Sequence, residues 1–326
     1  MKLSKSSSYV LIALLRGYTT SAMIANFLQG MDIRTIQRAL ARLLELSLIT
    51  GSGPSNDPTY AVSYPHVLAL KLDEKILIDE QRPESIFNHD LVDWLASLTP
   101  ADTEQYIGSH TFQATEPMSA RELEHLTIEL SWKSSALEGN TYSLLDTQLL
   151  LTEGIRAKNR TEFETQMILN HKNAIQFIAE NRDVFSSTIA FAAVEELHKI
   201  IAHNLGIDTG VRKRIVKISA SNYTPPETPH KIREAADAIL RVINAQQSPF
   251  TKSLLALSLM PYLQTFEDGN KRTGRMLANA ILISTVNRGF SLRTVEARDL
   301  ALAYLAFYEF NSLYGLRKVL QEQLSQ

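Results

Sequence analysis

Twelve consecutive residues, 264–275, carry the side chains needed to hold a chain of phosphates. They comprise a carboxylate, a glycine, an amide and three cations, at Asp268, Gly269, Asn270, Lys271, Arg272 and Arg275. The run leads directly into an apolar stretch of helical character at 276–283. A glycine-containing loop that opens a helix presents free N–H groups and the positive end of the helix dipole. The pattern therefore predicts an anion site, and the spacing of Arg272 and Arg275 lets both reach one side of the helix start.

Asp268 adds a hard oxygen ligand to this anion site. Mg²⁺ prefers oxygen ligands and often binds through one or two carboxylates together with substrate phosphates. We therefore expect Asp268 to hold Mg²⁺ against a bound phosphate chain. The alternative is a capped surface helix with a solvated cluster of charges, and the length and density of the run favour the anion site.

The run resembles the signature of the Fic family, H-x-F-x-[DE]-G-N-[GK]-R-x-x-R, and matches every fixed position except the first. Members of this family transfer part of a nucleotide, most often AMP from ATP, to a hydroxyl side chain of a target protein. The resemblance implies ATP and Mg²⁺ as cofactors and a partner protein with a Ser, Thr or Tyr hydroxyl. It implies that Phe266 anchors the loop, that Gly269 and Asn270 form the anion hole, and that Arg272 and Arg275 bind the outer phosphates.

Gln264 stands where the family signature has its general-base histidine. A carboxamide has no lone pair basic enough to accept a proton at neutral pH, so Gln264 can orient a hydroxyl but cannot deprotonate it. Loss of a positioned base typically removes roughly two to four orders of magnitude of rate. The resemblance therefore implies impaired or absent transfer, through either a designed replacement or a natural chain that retains only nucleotide binding.

Lys271 is a second departure, because most AMP-transferring members have glycine at that position. Lysine also occurs there in the related Doc branch, which transfers phosphate, and a cation at this point could change which phosphate is attacked. Gly269 and Arg275 fit the AMP-transferring proteins better. AMP transfer is thus the favoured chemistry, and phosphate transfer the alternative.

An upstream segment, 131–140, resembles the inhibitory-helix motif of the family, [ST]-x-x-x-E-[GN], at Ser134, Glu138 and Gly139. Four-residue spacing places Ser134 and Glu138 on one helix face, and Gly139 is expected to end that helix. The resemblance implies autoinhibition, in which Glu138 pairs with Arg275 and occupies the space of the γ-phosphate. The alternative is an ordinary solvated glutamate before a C-terminal glycine.

Three further regions are expected to complete this domain. Residues 215–226 alternate apolar and polar side chains before two prolines, which predicts a short hairpin; in the family such a flap clamps the target by adding a strand to it. His198 and His203 are expected to be packed or surface histidines. The resemblance places Asn311 in the adenine pocket.

Residues 1–62 are predicted to form a separate module of three helices followed by two short strands. The third helix begins after Asp32, a favourable N-cap, and its expected buried stripe comprises Ile33, Ile36, Leu40, Leu43 and Leu44. The opposite face carries Arg34, Thr35, Gln37, Arg38 and Arg42. The pattern resembles a winged helix-turn-helix domain whose third helix reads DNA, since Arg and Gln can bond base edges. A protein-docking module is the alternative.

Composition restricts the classes of protein to which this chain can belong. The 326 residues suffice for two domains, and the absence of cysteine excludes disulfides, thiolate catalysis and Cys-based metal sites. The net charge is −2; residues 1–62 hold six Lys/Arg and three Asp/Glu, a net of +3, which leaves −5 for the remainder. Without a long apolar window or a cleavage signal, we expect a cytoplasmic protein with no membrane partner.

The sequence as a whole predicts a mainly α protein: a helical Fic core with a β-hairpin flap, preceded by a small winged helix-turn-helix domain. The expected domains are 1–62, a connector at 63–117, and a Fic domain at 118–326 that includes the inhibitory helix near 131–140. The resemblance leaves the oligomeric state open and allows a homodimer, since Fic proteins often use dimerisation to control that helix. The predicted function is an autoinhibited adenylyltransferase, with a catalytically inactive, nucleotide-sensing transcriptional regulator as the alternative.

Overall fold

The computed structural model describes residues 3–112 and 116–325 and is mainly helical, as predicted. Its contacts divide the chain into two compact units. Unit 1 takes in the described residues up to Ile107, together with Val216–Pro226 and Arg298–Leu316, and unit 2 takes in the described residues of Gly108–Ile215, Glu227–Ala297 and Arg317–Gln326. The limits of these two units do not coincide with the predicted domain boundaries at 62 and 117, which remain predictions.

The first three helices of unit 1 pack around a shared apolar core. They are α1 (Lys5–Leu15), α2 (Ser21–Phe27) and α3 (Ile33–Glu45), and they are followed by β1 (Ile49–Ser52) and β2 (Thr59–Val62). The two strands pair antiparallel from Ile49↔Val62 to Ser52↔Thr59. The carboxylate of Asp32 caps α3 by accepting the N–H of Thr35 at 3.0 Å. The predicted order of helices and strands in this segment is therefore present.

The expected buried stripe of α3 is wrong at both of its ends. Ile36, Leu40 and Leu43 are buried, whereas Ile33 is 45% exposed and Leu44 is 38% exposed. At 3.6 residues per turn the buried side chains centre on one line, and both exposed residues fall at the same edge of that stripe.

The rest of unit 1 adds short helices and two very short strands. These elements are α4 (Tyr64–Leu68), α5 (Glu74–Leu77), β3 (Ser85–Ile86), α6 (His89–Ser97), α7 (Pro100–Tyr106), β4 (Tyr223–Thr224) and nearly all of α16 (Ala297–Phe310). A buried ion pair between Arg82 and Glu309 (2.5 Å) fixes the chain before β3 to α16. Glu309 also accepts the backbone N–H of Asn222, just before β4, at 3.0 Å.

The predicted hairpin at 215–226 is wrong. Only Tyr223 and Thr224 are in a strand there, and that strand, β4, pairs in parallel with β3. Local alternation cannot reveal a partner that lies far away in sequence. Ala220 has a positive φ of 59°, which interrupts extended chain, and the two prolines after Thr224 lack the N–H needed to prolong a ladder.

Unit 2 is a layered arrangement of helices around α15. It comprises α8 (Ala120–Ala136), α9 (Leu144–Glu153), α10 (Glu162–Glu180), α11 (Arg182–Ser186), α12 (Phe191–Ala202), α13 (Pro229–Ala245), α14 (Pro249–Leu263) and α15 (Asn270–Val286), with α17 (Tyr314–Leu324) divided between the units. Gly274 allows α15 to approach α14 closely, since a Cβ there would lie 2.7 Å from the Cγ of Pro261. Within the described residues, no helix has the length and apolarity required of a membrane span.

Candidate active site

The run 264–275 forms the short loop between α14 and α15 and the first turns of α15. Gln264 ends α14 with a positive φ of 52°, and Gly269 precedes α15 with a φ of 78°, a conformation that glycine adopts without strain. Among the described residues, no side chain caps the start of α15. The N–H groups of its first turn are therefore available to an anion.

Asn270 holds the loop in shape. Its Oδ1 accepts the N–H of Phe266 at 2.9 Å, and its Nδ2 donates to the carbonyl of Phe266 at 2.8 Å. Phe266 is buried and stacks on His198 with ring centroids 3.7 Å apart. The backbone of the loop is thus fixed in place before any ligand binds.

Gln264 is held at both ends of its side-chain amide. Nε2 donates to the carbonyl of Pro261 at 2.6 Å, and Oε1 accepts from Asn270 Nδ2 at 3.2 Å. The Nε of Arg212 donates to the backbone carbonyl of Gln264 at 2.6 Å. The position is rigid and nearly buried, but the residue in it is not a base.

Arg272 is a buried cation with hydrogen-bonding capacity left over. Its side chain is 3% exposed, and its Nη2 donates to Asp268 Oδ2 at 3.1 Å, whereas its Nη1 has no partner among the described residues. Burial lowers the pKa of the guanidinium. Asp268 accepts the N–H of Gly269 at 2.6 Å, and its carboxylate is 67% exposed. A buried donor without a partner is costly, so an anion bound beside Arg272 would stabilise it.

Arg275 is in the opposite state, because protein groups already surround it. It is 1% exposed; its Nε donates to Ser134 Oγ at 2.9 Å, and its Nη2 donates to Glu138 Oε1 at 2.8 Å. Lys271 Nζ lies 3.1 Å from the other oxygen of Glu138. Burial raises the pKa of Glu138, but the charges of Arg275 and Lys271 outweigh burial, so the net pKa is lowered and the carboxylate stays ionised.

Ser134 and Glu138 both reach Arg275 from the C-terminal end of α8, as their four-residue spacing predicts. Helix α8 ends at Ala136, and Glu138 lies in the turn that Gly139 completes with a φ of 91°. The N–H groups of Glu138 and Asn140 both donate to the carbonyl of Ser135, at 2.9 and 3.1 Å, which closes the turn. The N–H of Gly139 also donates to the carbonyl of Ala136 at 3.0 Å, so the glycine ends the helix as predicted.

Comparison with known families identifies this loop and the helices around it. The Fic/DOC family matches residues 188–282. Residues 188–282 form a Fic/DOC family domain. The matched segment contains the whole run 264–275, whereas Ser134 and Glu138 lie outside it.

Relatives of this Fic domain include proteins named protein adenylyltransferase. The chain is 24% identical over 168 residues to protein adenylyltransferase Fic of Nematostella vectensis, covering 50% of this chain and 39% of that protein. It is 25% identical over 155 residues to protein adenylyltransferase fic-1 of Caenorhabditis elegans, covering 45% and 30%. It therefore spans well under two thirds of either relative. A solved structure of C. elegans Fic-1 (residues 134–508) shares the fold, with a TM-score of 0.50 and 18% identity over 94% of this chain and 80% of that one.

Two buried histidines of unit 2 support the Fic domain, and the sequence did not reveal their roles. His198, on α12, donates from Nε2 to the backbone carbonyl of Asp268 at 3.0 Å, and burial lowers its pKa to about 4. His171, on α10, lies 2.9 Å from Ser134 Oγ. His203, by contrast, is exposed. No sequence spacing indicates these contacts, because each partner lies in a distant segment.

The remaining predicted site residues lie in unit 1. Asn311 is buried, and its Oδ1 accepts from Asn88 Nδ2 at 2.8 Å. On α3, Arg34, Gln37 and Arg38 are exposed, whereas the hydroxyl of Thr35 donates to Asp32 Oδ2 at 2.6 Å and so takes part in the helix cap. Among the described residues, no group of three or more His, Asp or Glu side chains could hold a metal.

Proposed function

We propose that this chain is an ATP-binding Fic protein of the protein adenylyltransferase type. Glu138 holds it in an autoinhibited state, and Gln264 impairs its catalytic step. The observation that carries this proposal is the pair of arginines on α15: Arg272 has an unused donor beside an exposed carboxylate, and Arg275 is paired with an internal carboxylate. The proposal accounts for both arginines. Phosphates are expected to bind at Arg272, whereas the carboxylate of Glu138 takes the place of a phosphate at Arg275.

ATP binding is supported by the start of α15. Uncapped N–H groups and the Nη1 of Arg272 offer donors to phosphate oxygens. Asp268 fits a Mg²⁺ site of the kind that one carboxylate and the substrate's phosphates complete, since its carboxylate is largely exposed and carries spare lone pairs. Mg²⁺ bound there would neutralise charge on the phosphates.

The transfer step needs a base at position 264. In AMP transfer, the target hydroxyl loses its proton, its oxygen bonds to the α-phosphorus, and pyrophosphate leaves. The side chain at 264 is held by Pro261 and Asn270 at the end of α14, and the family signature has its general-base histidine at this position. Gln264 can orient the Ser, Thr or Tyr hydroxyl of a target protein there but cannot take its proton.

Autoinhibition is supported by the pairing of Glu138 with Arg275. A carboxylate held by two cations beside the anion site repels the outer phosphate of ATP and takes the hydrogen bonds that Arg275 would give it. The lowered pKa of Glu138 means that neutral pH does not relieve this repulsion. Bound ATP is then expected in a pose unsuited to attack.

Label transfer tests the proposal. The chain, Gln264→His, Glu138→Gly and the double variant are incubated with Mg²⁺ and ATP labelled at the α-phosphate, with a soluble cell lysate as acceptor. We expect label on protein only from variants with histidine, and most from the double variant. Gln264→Ala with Glu138→Gly is the matched control. No transfer by the double variant, although calorimetry shows that it binds ATP, would overturn the enzyme proposal.

A nucleotide-sensing regulator is the second candidate, because α3 carries three exposed polar side chains, Arg34, Gln37 and Arg38, that suit base edges. In this case residues 1–62 act as a winged helix-turn-helix domain, and the Fic domain only binds ATP. Specific DNA binding that changes with ATP, together with no label transfer, would favour it. Arg38→Ala should then weaken specific binding; unchanged affinity would contradict α3 as the reading helix.

Phosphate transfer of the Doc type is tested with ATP that is labelled at the γ-phosphate instead of the α-phosphate. The alternative of phosphate transfer was based on Lys271. The Nζ of this lysine forms an ion pair with Glu138, so Lys271 can act in autoinhibition without changing which group is transferred. ATP labelled at the γ-phosphate should leave no label on protein if AMP is transferred. Label from the γ-phosphate but not from the α-phosphate would establish phosphate transfer instead.

A further inference from the structure

We propose that His171 is a positioning residue that holds Arg275 in its inhibited arrangement through the hydroxyl of Ser134. The proposal rests on the autoinhibited state described above and adds a third helix to it. His171 lies on α10, Ser134 on α8 and Arg275 on α15, and all three side chains are buried. Their hydrogen bonds form one continuous chain.

The first bond of the chain fixes the tautomer of His171. Its Nδ1 lies 2.8 Å from the backbone carbonyl of Met167 and 3.3 Å from the hydroxyl of Ser135, which can accept a hydrogen bond as well as donate one. A carbonyl oxygen only accepts, so Nδ1 carries the proton and donates it. A neutral imidazole then has its lone pair at Nε2, which faces Ser134 Oγ at 2.9 Å.

The ring is held neutral by its surroundings. Complete burial disfavours the imidazolium, as do the nearby positive charges of Arg272 and Arg275, and together they outweigh the bond to Met167 and the negative charge of Glu138; the pKa is lowered to about 3. The lone pair at Nε2 therefore persists throughout the range in which proteins ordinarily work. A permanent acceptor at this point requires a donor opposite it.

Ser134 is that donor, and this decides how it meets Arg275. Its O–H points to Nε2 of His171, so the lone pairs of Oγ are directed away from the ring. The Nε of Arg275 donates to that oxygen at 2.9 Å, and the Nη2 of Arg275 donates to the backbone carbonyl of Ser134 at 3.1 Å. Without His171, the hydroxyl of Ser134 could rotate and turn its proton toward the guanidinium.

The consequence is that His171 strengthens the docking of α8 on α15 without touching the nucleotide site itself. Glu138 follows Ser134 by one turn of chain and uses the same guanidinium. A serine that presents its lone pairs to Arg275 keeps that guanidinium aligned for Glu138. His171 thus acts on autoinhibition through Ser134, and its removal should loosen the inhibited state.

Nuclear magnetic resonance tests the first half of the proposal on the chain as it exists. In protein labelled with ¹⁵N-histidine, the ring of His171 is assigned by its loss in His171→Gln. We expect the neutral Nδ1–H tautomer, unchanged from pH 8 to pH 5. An Nε2–H tautomer, or titration near the ordinary histidine pKa, would overturn the chain of bonds whether or not the protein is an enzyme.

Transfer of label from ATP tests the second half, in the Gln264→His background. His171→Phe keeps a ring but loses the acceptor, and should raise transfer about threefold to tenfold, the worth of one hydrogen bond. His171→Gln can place an oxygen near the position of Nε2 and should restore the parent rate. With Ser134→Ala also present, His171→Phe should have no further effect.

Two outcomes separate failure of this proposal from failure of the proposed function. If Gln264→His with Glu138→Gly transfers label, but His171→Phe does not raise transfer or raises it equally with and without Ser134, His171 has only a packing role. If no variant transfers label, the enzyme proposal fails, and the positioning of Ser134 is then judged by the tautomer alone.

Discussion

Arg272 and Arg275 differ more than their spacing on one helix implies. Both are buried cations on the first turns of α15, yet Arg272 has an unused N–H and an exposed carboxylate as its neighbour, whereas Arg275 is surrounded by Ser134 and Glu138. One arginine is ready for a ligand and the other is already bound by the protein. In the proposed ATP site, Arg272 would bind part of the phosphate chain, whereas the hydrogen bonds of Arg275 are already used by the protein.

The difference follows from the elements that face each arginine. Arg272 faces its own loop, where Asp268 lies on the surface and can leave room for phosphate or metal. Arg275 faces α8 and the turn after it, which belong to a segment more than a hundred residues upstream. Under the proposed autoinhibition, activation therefore needs α8 or its turn to move, whereas the half of the site at Arg272 needs no rearrangement.

Alanine at each arginine should break the comparison most strongly. Arg272→Ala removes a cation whose donor is free for phosphate, so we expect ATP·Mg²⁺ affinity to fall roughly 10- to 150-fold, the worth of a hydrogen bond to a charged group. Arg275→Ala should change affinity much less while Glu138 is present. Calorimetric titration of ATP into each variant measures both.

Removing Glu138 should make the two arginines alike. In the Glu138→Gly background, Arg275→Ala is expected to weaken ATP binding about as much as Arg272→Ala. The unchanged chain and Glu138→Gly alone serve as references. Equal losses for both arginines in the chain with Glu138 intact would contradict the view that Arg275 is already occupied.

Acid should destabilise the fold around both Arg272 and Arg275, because a buried neutral histidine supports the structure near each of them. His198 supports the carbonyl of Asp268 and has a pKa of about 4, and His171 supports Ser134 and has a pKa of about 3. Both lie below the unfolded value of about 6.5, so the unfolded chain binds more protons between these values. The contribution of each neutral histidine to the free energy of unfolding is fully present above pH 6.5. It falls as the pH is lowered, by about 2 kcal/mol per histidine at pH 5.

Thermal unfolding between pH 8 and pH 5 measures this loss of stability. Carboxylates with lowered pKa values titrate below this pH range and so do not contribute to it. His171→Gln and His198→Gln should each flatten the dependence of Tm on pH, since the replaced side chain no longer takes up a proton in the unfolded state. A dependence as steep in both variants as in the parent chain would show that neither histidine is held neutral.

The sequence predicted local features of the site, but few of the contacts between segments that lie far apart in the chain. The loop and the start of α15 are local features, because Gly269, Asn270 and the apolar run after them determine the turn and the helix within a few residues. The pairing of Glu138 with Arg275 came from a motif. Lys271 on Glu138 and His171 on Ser134 were missed, since each contact depends on how distant helices pack, which no spacing within one segment records.

The segment 215–226 and the end of α8 show what a local sequence pattern can and cannot predict. Alternating residues at 215–226 predicted a hairpin, but Tyr223 and Thr224 pair with Ser85 and Ile86, which lie in a segment without a strand signal of its own. The end of α8, by contrast, is predictable from Gly139, because a glycine with positive φ closes the last turn through bonds to residues only a few positions away. Local pattern was therefore informative where the bonding partner is nearby in sequence, and not where it lies in a distant segment.

Lys271 should give the smallest effect and the sharpest test of how Glu138 is held. Its side chain is about two-fifths exposed, so its ion pair with Glu138 is screened by solvent, and we expect Lys271→Met to raise AMP transfer only about twofold to fivefold in the Gln264→His background. Lys271→Arg keeps the charge and is the matched control. In the Glu138→Gly background the lysine has no carboxylate to hold, so Lys271→Met should give no increase. A fall in transfer in that background would instead mean that Lys271 itself binds phosphate, and would place this residue with Arg272 rather than with Arg275.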